Sequence, residues 1–117
     1  MKQLLKAFVF LAFAGSFAAF ADDAKIVEFH IKPGTGNGAW NRQDEPIKAT
    51  VGQTIRFYND DQIAHLLHTF GSPCVHGSSF GPGKTYDCVV TSKHEASKAD
   101  CYDHNAGPDA QVYIQAD

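Results

Sequence analysis

An all-β domain, built as a sandwich or small barrel, is predicted by three observations on this 117-residue sequence. Apolar and polar residues alternate in short runs. Gly and Pro clusters punctuate those runs at close intervals, and no apolar helical stripe exceeds about two turns. Val27, Phe29 and Ile31 alternate with Glu28, His30 and Lys32, the period of a half-buried strand. Residues 33–38, Pro-Gly-Thr-Gly-Asn-Gly, form a turn or loop by composition. Ile47, Ala49 and Val51 repeat the alternation, Gly52-Gln53 turns the chain, and residues 54–58 make another strand. Residues 64–70 read as a further strand, 77–83 as a Gly/Ser/Pro loop, and 85–91 as a β-branched and aromatic strand. Residues 92–100 leave room for a short helix, and residues 111–115 close the chain as a last strand.

The first residues set a compartment. Lys2 and Lys6 give a positive start, residues 4–20 are an almost unbroken apolar and small-residue run, and Ala19-Phe20-Ala21 has the form of a cleavage site. Residues 1–21 are therefore expected to be a secretory signal peptide, with residues 22–117 as one small domain. The destination is periplasmic or secreted, with no membrane span left after cleavage. The whole chain has 10 Lys and Arg against 13 Asp and Glu; without Lys2 and Lys6 the mature chain carries a net charge of −5. No basic run appears, which excludes nucleic acid as the expected partner.

An exported chain with three cysteines has one thiol over after any single disulfide. Cys74 precedes a loop and Cys88 sits in the strand that follows it, so the simplest pairing joins these two. That leaves Cys101 free; pairings that use Cys101 stay open. A free thiol in an oxidising compartment is a liability unless it is ligated.

Cys101-Tyr102-Asp103-His104 supplies that possibility. With His65 brought from a neighbouring strand, it offers one thiolate and two imidazoles, a ligand set that selects copper or zinc over magnesium or calcium. The alternative for each histidine is a solvated or hydrogen-bonded ring. His68 falls on the opposite strand face from His65 and reads as structural or as a residue supporting the ligands from behind; His30 and His94, among charged residues, read as solvated. His76, beside Cys74 in a Gly/Ser loop, is a minor candidate for the site.

At this point the order of motifs resembles a family. Residues 51–61, Val-Gly-Gln-Thr-Ile-Arg-Phe-Tyr-Asn-Asp-Asp, are followed by His65, by Phe80-Gly81-Pro82-Gly83-Lys84-Thr85-Tyr86 and by Cys101-x-x-His104. This series is similar to the plastocyanin-like cupredoxins over residues 47–114, about two-thirds of the mature chain. The resemblance implies a Greek-key β-sandwich with one type 1 copper, used for single-electron transfer to a redox partner protein by a monomer. Carried over, His65, Cys101 and His104 fall on the three equatorial ligand positions, and Asn59 on the family's asparagine before the first histidine. One departure is plain: Met1 is the only methionine, so the usual axial thioether is missing. Pro108 and Asp109 occupy that region, leaving Asp109, Gln111, His76 or no side chain as the axial donor, and a perturbed rather than standard blue site.

Other chemistries fail on spacing. Five residues separate Gly77 from Gly83-Lys84 where a phosphate loop needs four. No Gly-x-Ser-x-Gly elbow or paired-carboxylate constellation occurs, and a Cys/His protease has little room for a substrate cleft in so short a chain. The reading is non-enzymatic. Its alternatives are a periplasmic copper binder for tolerance or delivery, and a metal-free interaction module on the same fold.

Overall fold

The computed structural model describes residues 26–117. The expected leader and its cleavage site lie outside the described residues. Seven strands carry the chain: β1 (Ile26–Ile31), β2 (Ile47–Ala49), β3 (Thr54–Asn59), β4 (Leu67–His68), β5 (Thr85–Val89), β6 (Tyr102–Asp103) and β7 (Ile114–Ala116). The described residues contain no helix, and the all-β sandwich expected from the sequence is the observed class.

Strand β3 runs parallel to β1 and antiparallel to β5, β2 runs parallel to β7, and β4 pairs antiparallel with β6. Along β3 the side chains of Ile55, Phe57 and Asn59 point inward while Thr54, Arg56 and Tyr58 point outward. Ile55 and Phe57 are fully buried beside Ile31, Leu67, Val112 and Ile114. Each such side chain contributes about 1.5–3 kcal/mol by leaving water. Trp40 sets its ring edge against Phe57, with centroids 5.4 Å apart, and closes the core below the loop that follows β1. On the outer face, Arg56 opposes Asp87 across β3 and β5 and donates two hydrogen bonds to its carboxylate, at 2.8 and 3.0 Å.

Three elements differ from expectation. The strand expected at 64–70 shrinks to Leu67–His68, with His65 making an isolated bridge to Phe80. The chain leaves the sheet at Thr69, whose hydroxyl donates to Cys74 O at 2.7 Å and accepts from Gly71 N, so a turn takes over the backbone. Residues 92–100 form no helix, because His94 exchanges both backbone hydrogen bonds with Ala116 and its polar groups are already engaged. The last strand begins three residues later than expected, at Ile114, while Gln111 bridges Tyr102. Cys74 and Cys88 form the disulfide, with Cα atoms 5.5 Å apart, and Cys101 is the free thiol. Closing that loop is worth about 3 kcal/mol in the chain-entropy model.

Candidate metal centre

His65, Cys101 and His104 do not converge. Each stands in different surroundings. Strand β6 is only Tyr102–Asp103: Cys101 precedes it and is buried, as is Asp103, whereas His104 opens the turn that follows and is exposed. Between Cys101 and that turn, which Ala106 N and Gly107 N close onto Asp103 O, the two residues of β6 pair with β4.

His65 is fully buried with both ring nitrogens occupied. Nδ1 lies 2.5 Å from Asp103 Oδ2, and Nε2 lies 3.0 Å from Asp61 Oδ2. The two carboxylates are satisfied from all sides. Asp61 accepts from Gly34 N at 2.8 Å and Gly36 N at 2.9 Å; Asp103 accepts from Leu66 N, Asn105 N and the Trp40 indole. Burial pushes the Asp61 carboxyl up, but hydrogen bonds from His65 and from the Gln62, Gly36 and Gly34 backbone outweigh it and hold the group below its usual range. Asn59 braces the same corner: its amide donates to Ile63 O and Phe80 O, and its carbonyl accepts from Asp61 N. This corner is a closed hydrogen-bonded network with no free donor for a metal.

Cys101 is fully buried 3.6 Å from His94 Nε2 and 3.6 Å from the Ser72 carbonyl. Burial, with the nearby negative charge of Asp100, pushes its thiol up to about 12. Cys101 thus stands beside His94 rather than beside His65 or His104. Of the axial candidates, Asp109 is exposed in a turn, the Gln111 amide donates to Pro108 O and Ala99 O, and His76 lies on the loop after Cys74.

A different trio does converge. One nitrogen from each of His68, His76 and His104 lies within 4.8 Å of the others. His68 sits on β4 directly opposite Tyr102 on β6, and its ring stacks on the phenol with centroids 4.2 Å apart. His104 follows β6 immediately; its N–H donates to Leu66 O at 2.7 Å, so its ring rises beside His68, Nδ1 to Nδ1 at 3.5 Å. His76 arrives on the loop tied down two residues earlier by the disulfide. Gly77 N donates to Leu67 O at 2.9 Å and the Tyr86 hydroxyl donates to Val75 O. That return demands glycine: a Cβ on Gly77 would lie 3.0 Å from the Tyr86 ring and 3.1 Å from Leu67 O.

The donor chemistry fits a borderline cation. Two nitrogens 3.5 Å apart are close to the edge of a tetrahedron around an ion bound at about 2.0 Å, roughly 3.3 Å. His68 Nε2 is buried without a hydrogen-bond partner, which is uncommon for a protein polar atom. Burial, then the charges of His76 and His104, push the His68 imidazole below its usual value, toward the neutral form that ligates. His94, expected to be solvated, is buried; His30 is exposed as expected and pairs with Asp60 at 2.7 Å. The signal for the trio was present in the sequence. His68 and His104 share the outward parity of two strands, and His76 stands two residues from a half-cystine.

No family model and no curated protein matches the chain. Solved structures do match. A purple cupredoxin from Nitrosopumilus maritimus superposes at a TM-score of 0.57 with 15% identity, over 78% of this chain and 99% of that one. Two amicyanin variants in the Cu(I) state superpose at 0.56 and 0.54, with 10% and 13% identity, over 80% and 79% of this chain and 84% and 82% of theirs. The chain has the cupredoxin fold.

Proposed function

We propose that this chain is an exported copper-binding protein that holds its ion through His68, His76 and His104. The convergence of these three imidazoles carries the reading. Imidazole suits copper and zinc alike, and Cu(II) heads the affinity order among divalent first-row ions. The fold is one on which copper proteins are built. Export is supported by the leader-like residues 1–21 and by the Cys74–Cys88 disulfide, a feature of oxidising compartments.

Bound copper would supply Cu(II)/Cu(I) cycling. The chain's own residues position and expose it: Tyr102 fixes the His68 ring plane, the disulfide loop delivers His76, and His76 and His104 face solvent. Solvent-facing imidazoles without a thiolate favour capture and release, so copper tolerance or delivery to a partner protein is the preferred role. The second reading is single-electron transfer by a monomer. It is favoured by Phe70 and Val75, 73% and 69% exposed, which follow His68 and precede His76 in an apolar surround where a partner could dock.

Titration with Cu(II), followed by electron paramagnetic resonance and visible absorption, tests the proposal. One equivalent should bind with nitrogen hyperfine structure and without an intense thiolate band. His76→Ala and His104→Ala should each weaken binding by at least about tenfold. Undiminished affinity in a His68→Ala/His76→Ala double variant removes the trio as the site. Reduction potential and self-exchange rate separate the two roles.

A further inference from the structure

We propose a second, buried cation site formed by His94, Asp100 and Cys101, selective for a thiophilic divalent ion of the zinc class and independent of the three-histidine centre. The three donor atoms converge: His94 Nε2 lies 2.7 Å from Asp100 Oδ1 and 3.6 Å from Cys101 Sγ, and all three lie within 4.8 Å of one another. Around an ion with metal–nitrogen and metal–sulfur bonds of about 2.0 and 2.3 Å, a tetrahedral nitrogen–sulfur edge is roughly 3.6 Å. The observed pair already has that spacing. The nitrogen–oxygen edge would have to open to about 3.3 Å, and Asp100 can supply that movement because its side chain is one-third exposed while His94 is almost fully enclosed.

The other ring nitrogen fixes the tautomer. His94 Nδ1 lies 2.8 Å from the Ile114 carbonyl, which can only accept, so Nδ1 carries a proton. An outer hydrogen bond from the second nitrogen to a backbone carbonyl is the usual arrangement around a ligating histidine. With Nδ1 protonated, a second proton must lie between Nε2 and the Asp100 carboxylate, and a third sits on the thiol. A divalent ion would replace the latter two: its nitrogen bond takes the place of the Nε2 proton, its sulfur bond that of the S–H proton, and both protons pass to buffer. Two positive charges leave and two enter. The buried cluster keeps its net charge, whereas a monovalent ion would leave an uncompensated anion in the core. The Ser72 carbonyl, 3.6 Å from the sulfur, loses only a weak thiol hydrogen bond.

A catalytic Cys–His–Asp relay is a poorer account. There the acid orients the histidine through the nitrogen remote from the sulfur, whereas here Asp100 and Cys101 share Nε2. The cluster is separate from the histidine trio: Cys101 is fully buried, whereas His104 is exposed.

The test is anaerobic Co(II) titration of the disulfide-intact protein in a His68→Ala/His104→Ala background, which disables the outer site. Near-stoichiometric binding with a thiolate-to-cobalt charge-transfer band is expected, as is protection of Cys101 from alkylation by added Zn(II). Asp100→Asn in the same background should lower the affinity by at least about tenfold, and Cys101→Ser should abolish the band. Should the serine variant fail to fold, the charge-transfer band in the parent decides alone. Binding without that band, or no binding by the folded parent, overturns the proposal, as does alkylation unaffected by Zn(II).

Discussion

Cys101 and His104 flank strand β6, one before it and one in the turn after it, the thiol fully enclosed and the imidazole exposed. This relationship separates sulfur chemistry from the surface. It also means that an ion reaching the outer imidazoles has no thiolate within reach.

Cys101→Ser should therefore leave the first equivalent of Cu(II) bound with an unchanged visible spectrum. A copper–thiolate band in the wild type that vanishes on this substitution would return Cys101 to the copper site.

Gly77→Ala should displace the loop that carries His76. The added Cβ meets the Tyr86 ring at 3.0 Å and Leu67 O at 3.1 Å, and backbone cannot yield as a flexible side chain can. Copper affinity should fall and the protein should lose about 1–3 kcal/mol, the usual cost of overpacking. Denaturant titration and copper competition measure the two effects, and an unaffected copper affinity would show that this loop does not set the site.

Opening the disulfide should act on the same loop. Cys74→Ser/Cys88→Ser is expected to cost about 3 kcal/mol in stability, read from the urea midpoint. It should also weaken copper binding, because His76 lies two residues from Cys74. Loss of stability with full retention of affinity would uncouple loop and site.

Acid should unfold the domain through Asp61. Its folded carboxyl sits below the ordinary value of 3.8, so the unfolded chain binds more protons as pH falls. The stabilisation is complete above pH 3.8 and drains away below it. Circular dichroism of wild type and Asp61→Asn checks this. The variant should be less stable at neutral pH and should lose stability less steeply in acid; parallel acid limbs would sink the assignment.

Copper release should likewise follow acidification, since three neutral imidazoles are needed and protons compete for them. His68 itself is held below its ordinary value of 6.5 by burial and by its two neighbouring histidines. A copper affinity independent of pH between about 7 and 5 would contradict imidazole ligation.

Much of the architecture was legible. Period-two alternation at Val27–Ile31 and around Phe57 gave real strands, and cysteine parity gave Cys74–Cys88. The surroundings of each histidine were not. A Cys-x-x-His spacing says nothing about which of its residues is enclosed, and the pairing of β6 with β4 between them is a contact with a distant part of the chain. His65 looked like a ligand because nothing local revealed that Asp61, four residues away, and Asp103, thirty-eight away, would engage both of its nitrogens. His94 looked solvated beside Lys93 and Glu95, but its backbone pairing with Ala116 turns the ring inward. Burial of a polar ring depends on distant partners that a local window does not contain.

The pairing of Leu67 with Asp103 and of His68 with Tyr102 works as a two-position selector. A slip of one residue would reverse every side chain on β6, sending Tyr102 and His104 into the core and turning Cys101 and Asp103 out to solvent. The bond from Asp103 to His65 is the detent that holds the present setting. A substitution that removed that bond would therefore loosen the choice of which chemistry the protein shows to its surroundings, even if every strand still formed.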